Sequence, residues 1–198
     1  MKIAFMLLLF FLNCNCFSQL QESFVEMADG TKLKITSAEI DGYRKKIVYK
    51  LAGEEKEIKA KYKAVKSVSY AGYVFRIFKI KNKYEGFYIM TESKQRILGF
   101  REFEKTANKG GGFESTFKHI DFAIFDTQGH VLERQDLKET NNAKNIETRE
   151  KMAVAIRTHF ANCPKVLERL STYYLPNDKN KKDLLNFFGK PEDAVSCK

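Results

Sequence analysis

Tryptophan is absent from the sequence, and so is every short pattern that marks a reaction centre by itself. There is no His-Glu-x-x-His helix, no Cys-x-x-Cys pair and no histidine cluster, so no metal site is legible from spacing. No serine stands in a Gly-x-Ser-x-Gly elbow, which leaves motif-marked serine hydrolysis without a nucleophile. Gly110-Gly111-Gly112 is followed by Phe113-Glu114-Ser115. A phosphate-cradling loop has spaced glycines and then Lys with Ser or Thr opening a helix, so this run reads as a flexible connector. Carboxylate pairs such as Glu102 and Glu104 lie in charge-rich stretches and read as solvated. No catalytic residue, metal or cofactor is implied. Long apolar runs are scarce too. The longest, Ile3 to Leu12, has ten residues, where a helix crossing a bilayer needs about 20.

That run follows Met1-Lys2 and precedes Asn13-Cys14-Asn15-Cys16-Phe17-Ser18. A positive start, a short apolar core and small residues before a polar stretch are the three parts of a secretory leader. The expectation is a signal peptide over residues 1–18, cut between Ser18 and Gln19, and a mature chain with no membrane span. Lipid attachment at Cys14 or Cys16 competes with this, but neither cysteine has the small residue before it and the aliphatic residue three before it that such processing favours. Export would carry the chain to the periplasm or cell surface. An oxidising compartment then allows a disulfide between the remaining cysteines, Cys163 and Cys197. Their separation in space is not readable from the sequence. The alternative is one buried thiol and one exposed thiol at a frayed end.

The formal net charge is +10, which favours anionic envelope components as neighbours, without implying specific nucleic-acid binding. Another envelope protein is the other partner class. Charge of this kind governs solubility and association, not fold.

From Phe24 to about Leu137 the apolar period is mostly two. Leu33 and Ile35, then Ile47, Tyr49 and Leu51, then Ile58, Ala60 and Tyr62 alternate with polar residues, the pattern of an antiparallel sheet with one wet face. Asp29-Gly30 reads as a hairpin turn. Tyr73 to Ile80 and Gly86 to Met90 are apolar on both faces and belong in the middle of the sheet. Arg96 to Phe103 continues it, Thr106 to Ser115 reads as a loop, and Phe117 to Phe125 with His130 to Arg134 forms a hairpin. After the polar connector Lys138–Lys144 the period becomes helical. Met152, Ile156, Phe160 and Cys163 form one stripe, Pro164 ends or kinks that helix, and Val166, Leu167, Leu170 and Tyr174 form a second. Asn180 and Asp183 resemble a weak capping box before a short third helix carrying Leu184, Leu185, Phe187 and Phe188. The stripes need a partner and the central strands need a lid. The economical arrangement is α+β: residues 19–137 form an antiparallel sheet (a meander, or a partly closed barrel or sandwich), and residues 138–198 form two to three helices packed on it.

Three features invite a functional reading. His119 and Asp121, two apart on a strand, share a face and could orient an imidazole or begin a metal site. An enzyme built on them, a small hydrolase or metal-dependent one, requires the two to face each other in a concavity. The simpler reading is a surface hydrogen bond. His130 reads as a hairpin residue and His159 as a helix-boundary residue. Lysines form rows: Lys32/Lys34, Lys59/Lys61/Lys63 and Lys79/Lys81/Lys83. If their faces coincide they make a basic plate for a polyanion or surface glycan. Otherwise they are ordinary wet-face lysines that discourage edge aggregation.

The Phe17-Ser18-Gln19 leader end, the strands from Asp29, the segment Tyr84–Ile89 and the hairpin around Asp126–Gly129 resemble uncharacterised exported β-rich proteins of the Bacteroidetes. So does the tail Ala161–Leu167 followed by Lys182–Leu185. The resemblance spans roughly Asp29 to Phe188 as an order of features, and Gly110–Gly112 and Cys197 have no place in it. It implies an envelope location and no catalytic residue. The leading expectation is a non-enzymatic binding or structural module of the envelope.

Overall fold

The computed structural model describes residues 22–108 and 114–197. The leader, Ser18, Gln19, Cys14, Cys16 and Gly110–Gly112 lie outside the described residues. Ten strands form one antiparallel sheet: β1 (Phe24–Met27), β2 (Lys32–Asp41), β3 (Lys46–Leu51), β4 (Glu57–Lys61), β5 (Val65–Tyr70), β6 (Tyr73–Ile80), β7 (Lys83–Glu92), β8 (Arg96–Asn108), β9 (Glu114–Asp126) and β10 (Val131–Lys138). Two helices follow, α1 (Ala143–His159) and α2 (Pro164–Tyr173). The class is α+β and the sheet is open.

The order across the sheet is β10-β9-β8-β7-β6-β5-β1-β2-β3-β4. β1, β2 and β3 therefore lie between β4 and β5, yet the chain passes from Lys61 to Val65 through a single 3-10 turn, Tyr62–Ala64. Four flat strand spacings span about 19 Å, while four Cα–Cα steps reach about 15 Å. The sheet must curl for this link to exist. Register shifts between Ile35 and Ser37 and between Glu26 and Met27 supply the local bend that such bulges produce. Tyr62, buried at the turn, donates its N–H to the Lys45 carbonyl at 3.0 Å, and Ala28 N–H donates to Ala64 at 3.0 Å. Inside the curl, Val25, Ile35, Ile47, Tyr49, Val68 and Phe75 form one apolar cluster.

The same face continues under β7–β10 and is covered there by the helices. Leu98, Phe100, Ile120, Phe122 and Ile124 meet Met152, Ile156, Phe160, Val166, Leu170, Phe187 and Phe188. Both helical stripes are used as the periodicity requires. Asn142 caps α1, its side chain accepting from Asn145 N–H at 2.9 Å, so the helix starts inside the expected connector. α1 ends at His159, and Pro164 opens α2 rather than ending the preceding helix, in keeping with proline's tolerance of the first helical position. The third helix is a 3-10 stretch, Asp183–Phe187, with no side-chain cap. Asp178 replaces the expected Asn180 box, accepting from Asn180 N–H at 3.1 Å and Asp183 N–H at 3.0 Å. The segment expected as a loop is also corrected. β8 and β9 stay paired through Thr106↔Thr116 to Asn108↔Glu114, because a backbone ladder requires no apolar side chains.

A disulfide joins Cys163, at the start of α2, to Cys197, with Cα atoms 4.9 Å apart, and Val195 N–H donates to Met90 carbonyl at 2.7 Å. The tail is thus strapped across β7. With the two cysteines 34 positions apart, replacing both by serine is expected to lower stability by about 2–4 kcal/mol, mainly by freeing the unfolded chain. Urea unfolding would read this as a lower midpoint, and an unchanged midpoint would refute the strap's contribution.

Candidate functional site

On the opposite face of the sheet no helix packs among the described residues, yet Phe78, Phe87, Ile89, Ile97, Ala123 and Phe125 are buried there. Phe78 of β6 and Phe125 of β9 stack at 3.8 Å with nearly parallel rings. Two strands separate theirs, so the sheet is concave on this side and brings the rings together. His119 and Asp121 lie beside this cluster on β9. They share its face, as alternation predicts, but they are not at the surface: His119 is 1% exposed and Asp121 6%.

Cross-strand register assembles their surroundings. Arg101 on β8 and Asp136 on β10 both sit directly opposite Asp121, and Phe103 sits opposite His119. Arg101 Nε donates to Asp121 Oδ2 at 2.8 Å. Arg134 donates from Nε to Oδ1 at 3.0 Å and from Nη2 to Oδ2 at 2.8 Å. Both arginines also reach Glu85 of β7, through Nη2 of Arg101 at 2.7 Å and Nη2 of Arg134 at 2.9 Å. Their guanidinium carbons lie 4.9 and 5.8 Å from the centroid of the Phe87 ring, within cation–π range. Two cations and two anions thus form a closed ionic lattice that roofs the small apolar cluster. Burial raises the Glu85 pKa, but hydrogen bonds and charge from Arg134 and then Arg101 outweigh it, and the carboxyl is held below its ordinary value. The hydrogen bond to Asp121 drives the Arg134 pKa upward against its own burial.

His119 does not face Asp121. Its Nε2 meets the carboxylate of Asp136, and its ring stands edge-on to Phe103 with centroids 4.5 Å apart. The two residues singled out from the sequence line one shallow recess of about 280 Å³ with Phe103, Arg134, Gln135 and Asp136, but each is bound to a different partner. The surface hydrogen bond expected between them is absent because both are buried and paired across strands. Among the described residues, no three His, Cys, Asp or Glu side chains converge as a metal site. Glu85, Arg101, Arg134 and Asp136 were not singled out from the sequence. For Glu85 and Arg101 the signal was a charged residue on the second face of a strand otherwise apolar there, which becomes meaningful once the register is known.

The other histidines lie apart. His130 Nδ1 is 2.9 Å from Asp126 Oδ2 in the exposed β9–β10 turn, and this hydrogen bond lowers the Asp126 pKa. His159 ends α1, its Nδ1 accepting from Arg96 Nε at 3.4 Å.

The lysine rows do not all share one side, although Lys32 and Lys34, opposite Glu26 and Phe24, lie on the outer side of the curl. Lys32, Lys34, Lys59, Lys61, Lys63, Lys79, Lys81 and Lys83 are all exposed. Lys61 lies opposite Lys46 and Lys59 opposite Val48, on the outer side of the curl, while Lys79 lies opposite Tyr84 on the side shared with Phe75 and Ile77. Lys63 is in the 3-10 turn and Lys81 is in the β6–β7 turn with φ 54°. Glu39, Asp41 and Glu57 share the outer face with Lys46, Lys59 and Lys61. A single basic plate is therefore not formed by these residues.

No protein-family model, curated protein or solved structure matches the chain.

Proposed function

We propose that this is an exported, non-catalytic module of the cell envelope, in which the His119–Asp121 region is scaffolding. The observation that carries this reading is the engagement of Asp121. Its Oδ2 accepts from Arg101 and Arg134 and its Oδ1 from Arg134, so orienting His119 would require breaking charge-assisted hydrogen bonds, which are among the strongest in a protein. The lattice joins β7, β8, β9 and β10 and so serves rigidity. The Ile3–Leu12 leader, and a disulfide suited to an oxidising compartment, support export. The surplus of positive charge would then act as a general attraction to anionic envelope surfaces, weakening as salt screens it.

The test is intact-mass analysis of the full-length gene product recovered by cell fractionation. The expected species begins at Gln19, lies outside the cytoplasm and contains one cystine. Recovery from the cytosol with Met1 and the leader intact would overturn the reading, and a diacylglyceryl group on Cys14 or Cys16 would overturn the cleavage site.

A further inference from the structure

A cavity of about 930 Å³ lies away from the ionic lattice, at the end of the sheet where the disulfide is. One wall is the β7–β8 turn, Glu92 to Arg96. The opposite wall is the chain from Thr158 to Cys163 that leaves α1 and enters α2, and Cys197 closes a third side through its bond to Cys163. The turn is internally braced. Ser93 Oγ accepts from Arg96 N–H at 3.0 Å and from Gln95 N–H at 3.3 Å, and Ser93 N–H donates to Arg96 carbonyl at 2.8 Å. A preformed concavity of this size, part apolar and part polar, falls in the size range of small-molecule sites, roughly 300–1,000 Å³.

Its charge is one-sided. Glu92, the one carboxylate in the lining among the described residues, is already held by Arg76 in two hydrogen bonds of 3.2 and 2.9 Å. Lys94 and Arg96 have no ion pair among the described residues. Arg96 uses Nε on His159 Nδ1 and Nη1 on the Gln95 carbonyl, which leaves Nη2 to donate. With Nδ1 accepting, the His159 ring carries its proton on Nε2 as a second donor. The helix dipoles do not cancel this charge, because the C-terminus of α1 and the N-terminus of α2 meet at the same wall and oppose each other. Ala161 and Cys197 supply apolar surface that is open to the cavity, over the buried Phe160 and Cys163.

We propose that this groove binds a small organic carboxylate. The carboxylate head sits against Arg96 and His159, and an apolar body lies along Ala161 and Cys197. This site is separate from the scaffolding role given to His119 and Asp121 and does not depend on the route of export.

The experiment is isothermal titration calorimetry of the oxidised protein with decanoate below its micellar range and with benzoate, against decanol and inorganic phosphate. Saturable binding of decanoate or benzoate is expected, and the tighter of the two separates an acyl-chain source from an aromatic one. Arg96→Ala should weaken it at least tenfold. Ala161→Trp, at an exposed turn position, should do the same by filling the groove while leaving Arg96 in place, with thermal unfolding showing that each variant stays folded. Absence of saturable binding by either acid would overturn the proposal. So would phosphate or decanol binding as tightly as the acids, or full affinity in a folded Arg96→Ala protein. None of these results bears on where the leader is cleaved.

Discussion

Gly86→Ala is expected to lower stability by about 3 kcal/mol or more, at the upper end of what overpacking costs. The position is in mid-strand β7, where glycine weakens a strand unless another group approaches the backbone closely. Here the approaching group is Phe75. A Cβ on residue 86 would fall well inside the van der Waals radii of Phe75 Cζ and Cε1 and would lie 3.1 Å from Tyr62 Cε2. The Phe75 ring has nowhere to go. It is 2% exposed and packed against Tyr62 at 5.7 Å and Tyr88 at 5.0 Å between centroids. Those rings fill the curl that the short β4–β5 link imposes, so the added methyl group works against the closure of the whole β1–β5 half. Shortening Phe75 to Leu in the Gly86→Ala background should return part of the loss, giving a favourable coupling in a double-mutant cycle. Gly86→Ala melting with the wild type would show that Phe75 does not rest on this backbone.

The second large effect belongs to the lattice. Asp121→Ala removes the acceptor shared by Arg101 and Arg134 and leaves two guanidiniums over Phe87 with Glu85 as their remaining partner. Breaking a buried pair costs about 3–5 kcal/mol. The arginine side chains are 29% and 31% exposed, so water offsets part of that and the lower end is expected. Replacing Asp121, Arg101, Arg134 and Glu85 together by Leu, Met, Leu and Met should be far milder than the single change, because apolar replacement of all four leaves no stranded charge. Equal or additive losses in the single and quadruple variants would mean that the lattice is not a cooperative unit. Acid acts in the same direction. The Glu85 carboxyl lies below its ordinary value of 4.5 in the folded protein, so the unfolded chain takes up the proton first as pH falls. The stability Glu85 contributes is present above that ordinary value and is lost as pH falls through the lowered folded value. A wild-type unfolding series through this range should fall more steeply than that of Glu85→Gln.

How much of this was legible beforehand follows from the range of each cause. Alternation of Leu33 and Ile35, Ile47 and Tyr49, and Ile58 and Ala60 identifies strands because neighbouring Cβ atoms point to opposite sides whatever the rest of the chain does. Met152, Ile156 and Phe160 identify the inward side of α1 for the same local reason. The polar run from Thr106 misled because composition describes side chains, while the β8–β9 ladder there is made by backbone groups. The lysine rows could not be placed beforehand because spacing along one strand does not say which side a row on another strand takes: Lys59 and Lys61 face out of the curl and Lys79 faces the Phe75 side.

The amino-acid order alone dictated an antiparallel sheet followed by helices, their apolar sides and the leader-like start, since these depend on residues within a few positions of each other. Only the tertiary structure decided that Asp121 belongs to Arg101, Arg134 and Glu85 rather than to His119. The donors to Asp121 stand 20 and 13 residues away and Glu85 reaches Arg134 across 49, and strand register, curl and bulges bring them together in ways no local periodicity encodes.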